Sequence, residues 1–376
     1  MGFKKVCPTG AHLNSPPVEE PGGEMHEVPF GEILERLRGI GSKKVLIQTP
    51  EGLKKEAQEL ADFLEAEGIE AIINGDVNYG ACDPADSKAK LLGCDALIHL
   101  GHSYMTLHLD VPTIFVPAFA KVDPVPALEK NLNEIRKLGK RIALVTTAQH
   151  ILHLERMRRF LEEKGFEVLV GRGDSRVSWP GQVLGCNFSA ARVEADGVLF
   201  VGAGYFHPVG VAIAAKKPTL AVNPYSGDAI WMNEEAERLI RKRWAQIARA
   251  IDAEKFGVIV STKKGQLRLV EARKIVNLLR EHGKYARLIA MDYVSYSALE
   301  GFDFDAYVVV ACPRVPMDDY ENWEKPVLTP KEVEILLGIR EEYEFDEIPG
   351  AGRKEDEPFG ISLKGSPAKN ADFDRV

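Results

Sequence analysis

The chain reads as an α/β protein of three pseudo-repeated domains, each a four-stranded, mostly parallel sheet flanked by helices. Three observations predict this. First, one pattern recurs three times: an apolar strand, an amphipathic helix, a second strand closing on aspartate, a loop, and a third strand opening with aspartate. It runs from KKVLIQTPEGL at Lys43 to CDALIHLGH ending at His102, from KRIALVTTAQHI at Lys140 to DGVLFVGAGYFHP ending at Pro208, and from FGVIVSTKKGQ at Phe256 to FDAYVVVACPR ending at Arg314. Second, first strand and closing aspartate (Asp76, Asp174, Asp292) lie about 30 residues apart, the length of one βαβ unit. Third, the Val/Ile-rich strands do not alternate strictly, as expected of parallel strands covered by helices on both faces. Together they describe Rossmann-like repeats.

The elements follow in order. Residues 1–25 carry Pro, Gly and Glu with little periodicity and read as a flexible extension; Met25 is a candidate natural start. A short helix from Phe30 to about Arg38 leads to the strand at Val45. Leu53, Ala57, Leu60, Ala61 and Leu64 share one helical face, which Gly68 ends. A strand closing on Asp76, the polar loop VNYGACDPADS, a helix over Ser87–Leu92 and the strand ALIHL complete this unit. The second copy buries Ile151, Leu154, Met157 and Leu161 and stops at Gly165; the third runs from Leu267 to Leu279 and stops at Gly283. A fourth short strand follows a proline each time, in VPTIFVP, KPTLAVNP and KPVLTP. Bridging helices are expected near Ala127–Lys137 and Ala229–Ala250, with Trp231 and Trp244 as interdomain core, and a last helix near Lys331–Leu337. The expected domains are 26–125, 126–250 and 251–342, with a loose tail over 343–376.

The 376 residues carry a net charge of −8, which argues against a broad nucleic-acid surface. No apolar run is long enough to span a membrane, and the N-terminus lacks the apolar core of a signal peptide. A cytoplasmic protein is expected. Five cysteines, Cys7, Cys82, Cys94, Cys186 and Cys312, form no CxxC pair. An odd, sparse set suits a reducing compartment better than a disulfide framework.

In an open parallel sheet, sites form at the carboxyl ends of the strands. Unusual residues collect there. Asp76, Tyr79 and Cys82 follow the second strand of the first copy, and His102 and Tyr104 its third. Cys186 lies in the long loop after the second strand of the second copy. Gly202, Gly204, Tyr205 and His207 follow its third strand, and Asn223, Pro224, Tyr225 and Ser226 its fourth. Cys312 directly follows VVVA in the third copy. Three converging thiolates suit zinc with a histidine or water, or a 4Fe-4S cluster with one open iron; inert buried cysteines are the third reading. Cys94 reads as structural, Cys7 as irrelevant, and His99 as a satisfied histidine within the sheet. GAGYFH has His207 where a dinucleotide fingerprint needs Gly or Ala. TKKGQ at Thr262 lacks phosphate-loop spacing. No Ser-His-Asp or HExxH constellation is present.

Read together, NYGACDPAD, WPGQVLGCN, GYFHPVG, NPYSGD and VVACPR resemble one family, the archaeal 2-(3-amino-3-carboxypropyl)histidine synthases, over about residues 27–338. The resemblance implies three domains giving Cys82, Cys186 and Cys312 to one 4Fe-4S cluster, in an unorthodox radical S-adenosylmethionine enzyme without the CxxxCxxC motif. It implies transfer of the 3-amino-3-carboxypropyl group of S-adenosylmethionine to C2 of a histidine imidazole in translation elongation factor 2, the first step of diphthamide biosynthesis. It further implies a homodimer served by an external one-electron donor. From their strand-exit positions His102 and Tyr79 are added as candidate catalytic residues. Asp76, Tyr79, Gly204, Tyr205, His207, Asn223, Tyr225 and Ser226 are added as candidate cofactor-binding residues. A zinc-dependent hydrolase and a non-catalytic three-domain scaffold are the alternatives.

Overall fold

The computed structural model describes residues 28–350. The expectations for 1–25, including Cys7 and the Met25 start, and for 351–376 lie outside the described residues. The strands are β1 (Lys44–Gln48), β2 (Glu70–Ile73), β3 (Ala96–Gly101), β4 (Thr113–Pro117), β5 (Arg141–Thr146), β6 (Glu167–Leu169), β7 (Gly197–Val201), β8 (Thr219–Val222), β9 (Ala229–Trp231), β10 (Lys255–Ser261), β11 (Tyr285–Met291), β12 (Ala306–Val310) and β13 (Val327–Leu328). They form three sheets of the same order, β2-β1-β3-β4, β6-β5-β7-β8-β9 and β11-β10-β12-β13. All pairings are parallel except β8 with β9.

One device repeats in all three sheets. The aspartate opening the third strand accepts two backbone N–H groups at the start of the first. Asp95 Oδ2 lies 2.7 and 2.9 Å from the nitrogens of Lys43 and Lys44. Asp196 Oδ2 meets Lys140 and Arg141 at 2.9 and 2.8 Å, and Asp305 Oδ2 meets Glu254 and Lys255 at 3.0 and 2.8 Å. These bonds hold the Asp95 and Asp196 carboxyls below the usual range, because hydrogen bonds to a carboxylate favour its charged form. The helices are set by apolar spacing. Ala57, Leu60, Ala61 and Leu64 of the helix Lys54–Ala66 pack under the first sheet, and Leu154, Met157 and Leu161 of the helix Leu154–Glu163 under the second. Gly68, Gly165 and Gly283 end the repeat helices at φ of +80°, +93° and +78°, a region that costs glycine no Cβ clash.

The chain divides into two compact units. The smaller comprises Glu234–Thr262 and Gln266–Ile348 among the described residues, and holds the third sheet. The larger holds the first two sheets and takes in the short segment Lys263–Gly265 and residues 349 and 350.

Four expectations need correction. The segment from Ala229 does not start as a helix: Ala229–Trp231 pairs antiparallel with β8 as a fifth strand, and the helix is Asn233–Arg249. Asn233 separates the two, its side chain accepting from Thr219 N at 2.9 Å and donating to Lys217 O at 3.1 Å. The bridging helix near Ala127 is two pieces, Val125–Lys130 and Leu132–Arg136. Asn131 joins them, donating from Nδ2 to the carbonyls of Ala127 and Gly227. Of the two tryptophans expected as interdomain core, Trp231 packs on the second sheet's own core and Trp244 is 39% exposed and is not core. Finally, 343–350 is not loose: Tyr343, Phe345, Asp346 and Ile348 are buried, and Arg268 grips Asp346 at 2.7 and 2.9 Å.

Candidate functional site

Cys82, Cys186 and Cys312 are unbridged, half-buried thiols, whereas Cys94 is buried. The first three lie in loops at the carboxyl edges of their sheets. Cys94 precedes β3, at the amino edge, and packs with Leu46, Ala89 and Leu97. Burial there raises its thiol pKa, as expected of an inert structural cysteine.

The Cys82 loop is fixed from several sides. Gly80 N donates to Asn78 Oδ1 at 2.9 Å, and Asp83 N closes a turn on Gly80 O at 3.1 Å. Gln48, at the end of β1 and buried, spans the loop: its Nε2 donates to Asp83 O and its Oε1 accepts from Ala85 N, both at 2.8 Å. Asp83 is ion-paired with Lys263. The buried Asp86 receives Lys264 Nζ at 2.6 Å, and Lys264 also reaches Asp110 at 2.8 Å, which holds the Asp110 carboxyl down at about 2. Cys82 lies against the apolar cluster of Ala81, Met105 and Phe115, as does Leu184.

The Cys186 loop turns back on itself, with Leu184 N on Asn187 O at 2.9 Å. Asn187 Nδ2 donates to Asp174 Oδ2 at 2.8 Å, and Ser189 Oγ donates to Asn187 Oδ1 at 2.6 Å. Arg176 places Nε 3.4 Å from Cys186 Sγ. In the other unit, Cys312 follows β12, and its carbonyl accepts from Val315 N at 3.2 Å. A short helix, Arg314–Asp318, comes next, and its two end residues form a bidentate pair at 2.9 and 2.7 Å. Burial still pushes the Asp318 carboxyl up to about 6.

The remaining expected residues fall into two groups. His102 sits on the exit of β3 and joins a buried chain: His99 Nδ1 meets Gln48 Oε1 at 2.9 Å and His99 Nε2 meets His102 Nδ1 at 3.1 Å. Burial drives His99 well below 6.5 and His102 down to about 4, so both rings are neutral at pH 7. His99 is the satisfied sheet histidine expected. Ser103 and Tyr104, just beyond, bind the second repeat through Gln182 Nε2 and Ser178 Oγ at 2.8 and 2.6 Å. The other group shows geometry sufficient for a turn or a surface. Asn223 Oδ1 accepts from Tyr225 N at 2.9 Å, and Ser226 Oγ accepts from Asp228 N at 3.3 Å, a side-chain-stabilised turn. Asp76 is ion-paired with Lys88, Tyr79 is 53% exposed, and Gly204 is exposed. Tyr205 precedes the helix Phe206–Ala215. The His207 ring is stacked 6.4 Å from Phe200, and Tyr225 makes an edge contact with His150.

Sequence reasoning passed over Gln48 and Arg176, and weighed the segment Lys263–Gly265 only as a phosphate loop. Two adjacent lysines and a glycine at a strand exit were the available signal. Among the described residues, no group of three His, Cys, Asp or Glu side chains is placed to hold a metal ion.

Fold and site therefore define a class: an α/β protein of three like sheets, each bearing one half-buried thiol at its carboxyl edge. Comparison with known proteins makes this specific. The family described as "Putative diphthamide synthesis protein" matches residues 49–349. The 2-(3-amino-3-carboxypropyl)histidine synthase of Pyrococcus horikoshii is 66% identical over 90% of this chain and 98% of its own length; that of Methanocaldococcus jannaschii is 33% identical over 81% and 87%. The crystal structure of Dph2 from Pyrococcus horikoshii with a 4Fe-4S cluster superposes with a TM-score of 0.87, covering 90% of this chain and 99% of that one. This chain belongs to the diphthamide synthesis protein family.

Proposed function

We propose that this chain is a 2-(3-amino-3-carboxypropyl)histidine synthase. It transfers the 3-amino-3-carboxypropyl group of S-adenosylmethionine, by a radical route, to C2 of a histidine imidazole in translation elongation factor 2. One electron breaks the bond between sulfur and the methionine Cγ, methylthioadenosine leaves, the carbon radical adds to imidazole C2, and loss of the C2 proton with return of one electron restores the aromatic ring. The observation that carries this reading is the choice of thiols. Each sheet offers one half-buried cysteine at its carboxyl edge, while the buried Cys94 lies at an amino edge. The expected functional positions belong to the first three.

The donor set fits an iron–sulfur cluster: three soft thiols, half-buried, in loops already tied down by hydrogen bonds. Cys82, Cys186 and Cys312 would hold it. When bound, a 4Fe-4S cluster with one iron not ligated by protein supplies the single electron that a sulfonium needs for cleavage. The chain's own residues do the rest. Gln48, Lys263 and Lys264 fix the Cys82 loop, and Asp174, Asn187 and Ser189 fix the Cys186 loop, so each of these two loops is held in one shape. The Arg176 guanidinium orients the Cys186 side chain through its Nε contact with Sγ. His102 remains neutral and, with Tyr79, lines the edge where the target imidazole would enter. Asp76, Gly204, Tyr205, His207, Asn223, Tyr225 and Ser226 form the strand-exit rim for S-adenosylmethionine. The protein works as a cytoplasmic homodimer of three-repeat chains (26–125, 126–250 and 251–342), with an external one-electron donor and neither nucleic acid nor membrane as partner. No helix of the described residues is long and apolar enough to cross a membrane.

Anaerobic purification with iron, sulfide and visible-spectrum measurement tests the reading. About four irons and four sulfides per chain are expected, lost in C82A, C186A and C312A but kept in C94A. Zinc without sulfide would overturn it in favour of a hydrolase, and loading that survives all three substitutions would overturn the ligand assignment.

A further inference from the structure

We propose that Lys263–Lys264–Gly265 is a positioning clamp that ties the Cys82 loop to the Cys186 loop. The segment directly follows β10 in sequence, yet it packs within the larger unit. Its central feature is one peptide group on each side of Gly265. The Gly265 N–H donates to the Cys82 carbonyl at 2.8 Å. The Gly265 carbonyl accepts from Arg176 Nη2 at 2.7 Å, and the same guanidinium places Nε 3.4 Å from Cys186 Sγ. One residue therefore bonds directly to the backbone of the first thiol and, through a single side chain, to the sulfur of the second.

Gly265 is required here by close approach. A Cβ at this position would lie 2.5 Å from Cys82 Cα, 2.6 Å from its Cβ and 2.8 Å from its carbonyl oxygen. Two of those three atoms are backbone, so no side-chain rotation relieves the overlap. An alanine must push the Cys82 loop away or break the 2.8 Å bond. The two lysines hold the segment in place from its other end. Lys263 pairs with Asp83 with both side chains largely shielded, and Lys264 pairs with the fully buried Asp86 as well as with Asp110. These hydrogen bonds and ion pairs fall on Cys82, Asp83, Asp86, Asp110 and Arg176. A segment that served only to turn the chain after β10 would have no reason to direct the two peptide groups flanking one residue at two cysteine loops. Its role is to set the separation and orientation of Cys82 relative to Cys186. The functional half of this inference rests on the cluster reading above; the structural half does not.

The test compares Gly265→Ala with Gly52→Ala, whose added Cβ would meet open space, in the full chain. In the apoprotein, hydrogen exchange should accelerate about tenfold in peptides covering 78–86 and 176–187 of Gly265→Ala, the effect of losing one stabilising hydrogen bond. Gly52→Ala should exchange as wild type there. After anaerobic reconstitution, Gly265→Ala should retain under half of the wild-type iron and sulfide, with native circular dichroism. Arg176→Met, which cuts only one side of the clamp, should accelerate 176–187 and leave 78–86 unchanged. That variant decides the matter even if Gly265→Ala does not fold. Wild-type exchange in both peptides of Gly265→Ala, or equal acceleration of both in Arg176→Met, overturns the clamp. A wild-type chain that takes up no iron overturns the cluster reading instead, and the exchange comparison still decides the clamp.

Discussion

Gln48 determines more than the shape of one loop. Its Oε1 only accepts, so the ring nitrogen facing it, His99 Nδ1, carries the proton. His99 Nε2 must then accept from His102 Nδ1, which leaves the lone pair of His102 on Nε2. One buried amide thus sets two tautomers in series, at the point where β3 reaches the candidate site. The same burial makes the pair sensitive to acid. His102 titrates at about 4 in the folded chain and near 6.5 when exposed. The unfolded chain therefore binds more protons between those values, and stability is full above about 6.5 and lost as pH falls toward 4. The loss is about 3 kcal/mol from this ring. Urea midpoints measured from pH 7.5 to 4 should fall more steeply for wild type than for His102→Gln. Parallel slopes would assign the acid sensitivity to other groups.

At the scale of elements, the helix Asn233–Arg249 is secured by one buried charge. Arg243 is fully buried and meets both oxygens of Glu332, at 2.8 and 2.7 Å. It also donates to the carbonyls of Val327 and Pro316. Glu332 is already the third residue of a capping box: Thr329 N donates to it at 2.8 Å, while Thr329 Oγ1 accepts from Glu332 N. The end of β13, a helix start and a distant helix therefore share one carboxylate. Removing a single partner strands the other charge, so Glu332→Ala should cost about 3–5 kcal/mol, and Arg243→Met with Glu332→Met should recover much of that. Chemical denaturation of the two variants checks this, and a double variant as weak as the single one would show that packing, not charge, is at stake. Periodicity made the helices and their glycine stops legible, but not β9, because a three-residue edge strand has too few residues to display a period of two. Asn233, which separates strand from helix, is visible only as an ordinary N-terminal helix residue.

Across the whole molecule, the threefold pattern was legible because each copy repeats its apolar strands and its latch aspartate, Asp95, Asp196 or Asp305. The thiols were legible by residue type and strand-exit position. What held them was not, since Lys263 meets Asp83 across 180 residues and no local spacing records such a pair. The packing of 343–350 was hidden for another reason: Tyr343, Phe345 and Ile348 stand among acidic residues, and average composition conceals spaced apolar anchors. Ending the chain at Gly338 should therefore be costly. It removes those buried side chains and leaves Arg268, 9% exposed at its side chain, without Asp346. A loss of about 3–5 kcal/mol is expected, read as a lowered denaturation midpoint or loss from the soluble fraction; an unchanged midpoint would show the segment dispensable. The distance between Cys82 and its clamp also has a meaning in time. At roughly 5–20 residues per second, a ribosome adds the intervening 180 residues in about 10–40 seconds. For that interval the nascent first thiol has neither the Gly265 amide nor the Lys263 charge beside it, so its loop takes its final shape only near the end of synthesis.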